Sequence, residues 1–248
     1  MIPYERQEKI IDALSKVDLL KIEELQKLLP EISNSTLRRD LKELEKNGKV
    51  NLLTGGAVKM CSTTMELPIT AKANLNFIQK DKIAEIAANM IQDGDVIYLD
   101  SGSTCTTLLM KILDKNISIL TTNTDVFGIK NEIKADITIL GGKFNPVISS
   151  VSGPLTDDNI LTFNFQKAFI GANGIDVEKG VTTPNLVEAS KKKQILKNSK
   201  EAFLLCDSTK FHKIAAVKAF NLNEVTLISD QYDEKIGEHT KLITAIQK

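Results

Sequence analysis

The stretch SNSTLRRDLKELEKNGK, residues 33–49, decides how the first part of the chain folds. Ser33 is a residue type that caps helices, because its hydroxyl accepts a backbone N–H that the first turn leaves unpaired. Leu37, Leu41 and Leu44 then recur at i, i+4 and i+7, a spacing that lines one helical face with apolar side chains. The pattern predicts a helix over 34–47 closed by Gly48, since glycine readily takes the left-handed conformation that ends helices. Asn34, Ser35, Thr36, Arg38, Arg39 and Lys42 fall on the early, outward part of that helix. An arginine there presents a fork of donors that grips a guanine edge or a phosphate at two points. A helix held down by leucines with arginines facing out is how a recognition helix enters the major groove of double-stranded DNA.

On the arginine pair alone, a solvated amphipathic helix fits about as well. The flanking sequence favours DNA. Ile10, Ile11 and Leu14 predict a helix over 4–14, with Pro3 suited to its first turn. Ile22, Leu25, Leu28 and Leu29 predict a second over 22–29, ended by Pro30. After the third helix come a short apolar strand, VNLL (50–53), and a TGGA turn (54–57). Strand and turn form a wing whose Gly55 and Gly56 approach the DNA backbone or minor groove. Residues 1–57 are therefore expected to be a winged helix-turn-helix domain, mainly α. Residues 1–60 carry 11 Lys+Arg against 10 Asp+Glu, so binding rests on how the charges are placed rather than on their sum.

The whole chain of 248 residues is equally balanced, with 32 Lys+Arg against 32 Asp+Glu, which excludes a protein coated all over by nucleic acid. With 42% hydrophobic and 26% charged residues it is globular rather than disordered or fibrous. Cys61, Cys105 and Cys206 stand far apart, and His212 and His239 are the only histidines. No zinc site, disulfide framework, metal or cofactor is therefore expected. The start, MIPYERQEKI, lacks an apolar signal core, and no apolar run has membrane-spanning length, so a cytoplasmic location with no membrane partner is expected.

Residues 58–73 show neither helical nor strand period and read as a linker. A helix over 76–91, with Ile78, Ile83, Ile86, Ala87 and Ile91 on its apolar face, opens the larger domain, 74–248. Short apolar runs follow at 96–99, 117–120, 137–140, 167–171, 201–206 and 225–229, separated by helical or turn-like stretches. This alternation predicts a doubly wound α/β sheet, and such sheets bind ligands beyond the carboxyl ends of their strands. The loops there are Asp100-Ser101-Gly102-Ser103-Thr104, then Thr122-Asn123, Gly142-Lys143 and Asn173. Small and hydroxyl residues between a strand and a helix offer backbone N–H groups and a helix start to an anion. Lys191 and Lys210 are candidates to add charge, although a solvated face is the ordinary fate of a single lysine. Each turn taken alone is as well explained by tight-turn geometry.

The motif SNSTLRRDLKELEKNG followed by GGA at 55–57 resembles the DeoR family of bacterial sugar-metabolism regulators. LDSGST, TTN, LGGK, GANGID with a following G-x-T, the Glu188 to Lys191 region, and DSTKF at 207–211 extend the resemblance over nearly the whole chain. Two departures stand out. The family commonly carries an arginine just before the GGA turn, where this chain has VNLLTGGA, and KLLPEIS is about one residue longer than the usual turn into the recognition helix. The resemblance implies a sensor domain similar in fold to ribose-5-phosphate isomerase and CoA-transferase enzymes. It also implies a phosphorylated sugar or related metabolite as effector, and a repressor of a sugar or carbohydrate operon whose grip on DNA the effector weakens; because one short recognition helix reads few base pairs, a homo-oligomer, dimer or tetramer, is expected. Asp100, Ser101, Gly102, Ser103, Thr104, Thr122, Asn123, Gly142, Lys143, Asn173, Glu188, Lys191, Asp207 and Lys210 are the effector-site candidates. Two alternatives remain: an isomerase-like enzyme, with Glu188 near the position of a catalytic base, and a DNA-binding protein without a ligand. Against the enzyme, Gly171-Ala172 is followed by Asn173-Gly174, where the isomerase loop carries acidic residues, so no catalytic residue is assigned.

Overall fold

The computed structural model describes residues 3–15, 17, 19–46, 49–60 and 69–245. The chain divides into two compact units, residues 1–75 and 76–248.

In the first unit α1 (Pro3–Ser15), α2 (Ile22–Leu28) and α3 (Asn34–Lys46) surround a core of Ile10, Leu14, Ile22, Leu25, Leu29, Ile32, Leu37, Leu41, Leu44, Val50 and Val58. Leu41 lies at its centre, fully buried, and truncation to alanine is expected to cost about 2–5 kcal/mol through lost burial and the cavity left behind. Leu28 departs from the expected stripe and is 59% exposed. It lies about 100° around the helix from Leu29, so Leu25 and Leu29 reach the core and Leu28 does not. The wing is a three-stranded sheet in the order β1 (Leu20–Lys21), β3 (Ala57–Met60), β2 (Val50–Leu53), all antiparallel. Its turn needs the two glycines, since Gly55 and Gly56 both adopt positive φ, +90° and +74°. Residues 58–60, read from sequence as the start of a linker, are the last three residues of β3, with Val58 fully buried. Lys59 interrupts the apolar run of this strand, so AVKM carries no strand signal of its own. Gly48, the expected helix stop, and residues 61–68 lie outside the described residues. Within 69–73, also read as linker, α4 (Ile69–Asn74) is helical.

The second unit is built on seven parallel strands in the order β15-β14-β12-β9-β4-β5-β6. These are β4 (Val96–Leu99), β5 (Ser118–Thr121), β6 (Asp136–Ile139), β9 (Phe165–Gly171), β12 (Ser199–Leu205), β14 (Thr226–Ser229) and β15 (Leu242–Thr244). Side chains alternate between two cores: Ile97, Leu99 and Phe169 pack with α5 (Phe77–Asn89) and α6 (Ser103–Ile112). Tyr98, Ala168 and Ile170 belong to the opposite core, which takes in α7 (Pro154–Leu161) and α8 (Leu186–Lys197). Ile78, expected on the apolar face of α5, is 69% exposed, because it lies across the helix from Ile83, Ala84 and Ala87.

Two small additions escaped the sequence reading. A hairpin pairs β7 (Lys143–Asn145) with β8 (Ser150–Ser152), and β10 (Gly174–Asp176), β11 (Gly180–Thr183) and β13 (Val217–Phe220) form a three-stranded sheet. A short α9 (Glu234–Gly237) precedes β15. The chain leaves β4 towards β5 and β6, and leaves β9 towards β12, β14 and β15. The sheet therefore reverses its strand order between β4 and β9, which opens a crevice at their carboxyl ends.

Candidate functional site

The DNA-facing candidates of the first unit sit as their spacing predicts. Ser33 Oγ accepts the Thr36 amide (3.3 Å) and closes the start of α3. Asn34, Ser35, Arg38, Arg39 and Lys42 are exposed, and Thr36 is half-buried. Arg38 Nε donates to Asn34 Oδ1 (2.9 Å), one turn earlier on the same helix, which fixes the direction in which its guanidinium leaves the surface. The third member of the Arg-Arg-Asp run turns inward. Asp40 is buried and accepts two bonds from Arg6 of α1, 2.7 Å from Nε and 3.1 Å from Nη2. This two-point pair holds α3 against α1. Glu45 Oε1 accepts the Leu52 amide (2.8 Å) and ties the same helix to the wing.

In the second unit the loops after β4 and β9 meet at the crevice. Asp100 N donates to Phe169 O (2.9 Å), and Gly171 N donates to Asp100 Oδ2 (3.2 Å). Asp100 is fully buried. Lys192 makes a short contact with its Oδ2, and Lys191 Nζ lies 3.8 Å from Oδ1. Lys191, also fully buried, donates to Ser150 Oγ (2.8 Å) and Thr122 Oγ1 (3.3 Å) and pairs with Glu188 Oε2 (3.1 Å). Tyr98 Oη and Thr122 Oγ1 share a bond (2.8 Å), and Ser101 Oγ donates to Ser150 Oγ (2.7 Å). The centre is thus a buried network of two lysines, two carboxylates and four hydroxyls.

Electrostatics favour the charged forms of Asp100 and Lys192. Burial pushes the Asp100 carboxyl up, but Lys192, Lys191 and the Gly171 amide outweigh that and leave it below the ordinary carboxylate value. Burial likewise works against the charge of Lys192, and Asp100 and Glu188 reverse the effect, raising it. Tyr98 is driven well up by burial and by Asp100, so it stays a neutral donor.

The start of α6 faces this network. Gly102 precedes it at φ +129°, with no side chain capping the first turn. Ser103 and Thr104 are buried there beside Cys105. Burial and then Asp100 push the Cys105 thiol up, while Lys192, Lys210 and Lys191 act against them, so three ammonium groups stand within electrostatic reach of this helix start. Lys210 donates to Ala172 O (2.9 Å) at the end of β9 and lies 3.7 Å from Asp207 Oδ2. Asn173 follows, half-buried, its amide bonded to Thr182 O (3.2 Å). Asn123 is fully committed: Oδ1 accepts the Asp125 amide (2.9 Å) and Nδ2 donates to Thr106 Oγ1 (2.8 Å).

Gly142 and Lys143 stand apart from this network, on the wall of a cavity of about 770 Å³. Phe144, Gly153 and Leu155 also line it, with Asn185, Val187 and Glu188 from the start of α8. Gly142 is fixed by packing, since a Cβ there would run into Thr156 Oγ1. Glu188 joins the two regions: Oε2 binds Lys191, while Oε1 is buried and has no hydrogen-bond partner among the described residues. Among those residues no group of three His, Cys, Asp or Glu side chains is placed to hold a metal ion, and no helix is long and apolar enough to cross a membrane.

Sequence reasoning passed over Lys192, Ser150 and Tyr98. Tyr98 sits inside an apolar strand, and Ser150 in a hairpin with no pattern of its own. The run Lys191-Lys192-Lys193 carries the composition of a solvated face, yet two of its three members are buried.

Residues 6–63 match the DeoR-like helix-turn-helix domain, and residues 75–231 match the DeoR C terminal sensor domain. The chain is 35% identical over 236 residues to an uncharacterised HTH-type transcriptional regulator, FruR, of Bacillus subtilis (strain 168), covering 94% of this chain and 93% of the relative. It is 32% identical over 251 residues to the lactose phosphotransferase system repressor of Lactococcus lactis subsp. lactis, covering 97% and 98%. Among solved structures, ribose 5-phosphate isomerase A of Methanocaldococcus jannaschii aligns over 53% of each chain at 18% identity and a TM-score of 0.39. The sequence relatives are regulators and not enzymes, and the carboxylate that stood as a possible base, Glu188, is paired with a buried lysine. The chain belongs to the DeoR family of DNA-binding transcription regulators.

Proposed function

We propose that the protein binds operator DNA as a homo-oligomer, represses a sugar or carbohydrate operon, and is released by a phosphorylated sugar or related intermediate. The phosphate sits at the start of α6, held by backbone N–H groups, by Ser101 and Ser103, and by Lys210. The observation that carries this reading is the convergence at the β4–β9 crevice: an uncapped helix start within electrostatic reach of three ammonium groups. Since Lys191 and Lys192 are already balanced by Asp100 and Glu188, the anion's attraction comes from the helix start and from the half-buried Lys210. Glu188 Oε1 is an acceptor in want of a donor, which a sugar hydroxyl supplies. On the DNA side, Arg38, Arg39 and Lys42 contact bases and phosphates, with the wing turn at Gly55 and Gly56 beside them. One short recognition helix reads few base pairs, so paired copies on repeated half-sites are needed for affinity.

Melting curves with a panel of hexose and pentose monophosphates, beside the free sugars, test the effector. A ligand at 100 times its Kd adds about 2.7 kcal/mol to the folded state. The phosphorylated compound raises the melting temperature, the free sugar does not, and Lys210→Ala with Ser103→Ala removes the shift. Silence across the panel removes the effector assignment. Release of DNA by that compound in an anisotropy titration supports relief of repression, and tighter binding reverses the sign.

A further inference from the structure

Asn76, the first residue of the second unit, departs from what its place in the sequence calls for. An asparagine preceding a helix ordinarily takes extended backbone and caps the first turn with its side chain. Here it is left-handed, φ +53° and ψ +40°, and its side chain caps nothing in α5. The amide reaches instead across 131 positions of sequence, where Nδ2 donates to Asp207 Oδ1 (3.2 Å) and to Thr209 Oγ1 (3.1 Å). Left-handed backbone at a residue other than glycine persists where surrounding contacts impose it, and these two bonds are such contacts.

The loop it grips belongs to the effector site. Asp207 is fully buried, bonded through Oδ1 to Asn76 and Thr209, while its Oδ2 has no hydrogen-bond partner among the described residues. Lys210 lies 3.7 Å from that oxygen and spends a hydrogen bond on Ala172 O. Burial pushes the carboxyl up, and Lys210, Thr209 and Lys80 bring it below the ordinary value, so Asp207 is an anion shared between a loop lysine and a lysine of α5. We propose that Asn76 is a positioning residue that couples the Asp207–Lys210 loop to the start of α5, so that ligand binding at Lys210 is felt where the chain enters the sensor unit. The ligand-driven half of this rests on the effector site described above. An anion that engages Lys210 takes it from Asp207, which keeps Thr209 within its own loop, and the partners left to it outside the loop are the Asn76 amide and the charge of Lys80, both at the start of α5. The hold on that segment tightens.

The test is amide hydrogen exchange over residues 75–82 in the full-length protein, comparing wild type, Lys210→Ala, Asn76→Gly and the double variant without ligand. Glycine accepts the left-handed backbone without strain and removes the side-chain amide. Lys210→Ala is expected to slow exchange at least about threefold in the wild-type background and to leave it unchanged with Asn76→Gly, the non-additivity of residues in one network. Asn76→Asp, which sets a second carboxylate against Asp207, is expected to speed exchange. If Lys210→Ala speeds exchange, or changes it equally in both backgrounds, the coupling is overturned. The same measurement with whichever sugar monophosphate raises the melting temperature is expected to slow exchange in wild type only. A panel in which no compound binds removes the effector reading, and the ligand-free cycle still decides the role of Asn76.

Discussion

Arg38, Arg39 and Lys42 of α3 and Lys191, Lys192 and Lys193 of α8 are both cation runs on helices, and they meet opposite fates. The first three are exposed, and Arg38 bonds to Asn34, a neighbour on its own helix. Of the second three, Lys191 and Lys192 are buried against Asp100, Glu188 and a set of hydroxyls, and Lys193 alone reaches solvent. What differs is the surface each helix packs on. A small three-helix unit buries one stripe of α3, which leucines and the paired Asp40 fill, so its arginines and lysines point out. Helix α8 lies with its first turns over the carboxyl ends of a parallel sheet, where the opposing surface is itself polar and a buried lysine finds partners.

The largest effect expected from breaking this contrast is at Lys192. Its removal leaves Asp100 buried with one cation fewer, so Lys192→Ala is expected to destabilise the protein by about 3–5 kcal/mol in urea unfolding. Lys193→Ala is expected to stay within about 0.5 kcal/mol. Equal effects would erase the distinction between the two neighbours. The Asp100 charge also gives a pH signature. Its value in the fold lies below the unfolded one, so its stabilisation is present above the unfolded value near 4 and is lost as pH falls through the depressed one. Urea midpoints of wild type should therefore fall as pH drops below about 4, and Asp100→Asn should flatten that part of the profile.

On α3 the same truncations should act on DNA and not on folding. Arg38→Ala and Arg39→Ala are each expected to cost about 1–3 kcal/mol in operator affinity where a base is read, or about one unit of the salt slope where a phosphate is held. Both variants should unfold with wild-type midpoints. Unchanged affinity in both would remove α3 as the recognition helix. A smaller effect sharpens the local part of the comparison: Ser33→Ala, which deletes the cap of α3, is expected to lower stability by about 1 kcal/mol, read as a shift in the thermal midpoint of the first unit.

Much of the fold was legible because it follows from short-range periodicity. The leucine stripe at 37, 41 and 44 specified the outward face of α3 before any coordinates, and six apolar runs placed six of the seven parallel strands. Strand β15, the hairpin and the small sheet went unseen, since segments such as KFN, SVS, GID and GVTT hold no uninterrupted apolar run. The convergence of strand ends was anticipated from their small and polar residues. The roles within it were not: Asp100, Thr122 and Asn123 bond mainly to the protein itself and hold the site's geometry, and Lys192 and Asn76 enter only through partners 92 and 131 positions away.

The sequence by itself determined where the three helices of the first unit and six of the seven parallel strands form, which face of α3 is apolar, and which loops carry groups fit for an anion, because those properties depend on neighbours within one or two turns. Only the tertiary structure decided that Asp40 faces inward to Arg6, that two of three consecutive lysines are buried, and that Asn76 gives its amide to Asp207. Each of those outcomes depends on a partner brought close by the fold, and the free energy of a charge is set by that partner and by the water it displaces.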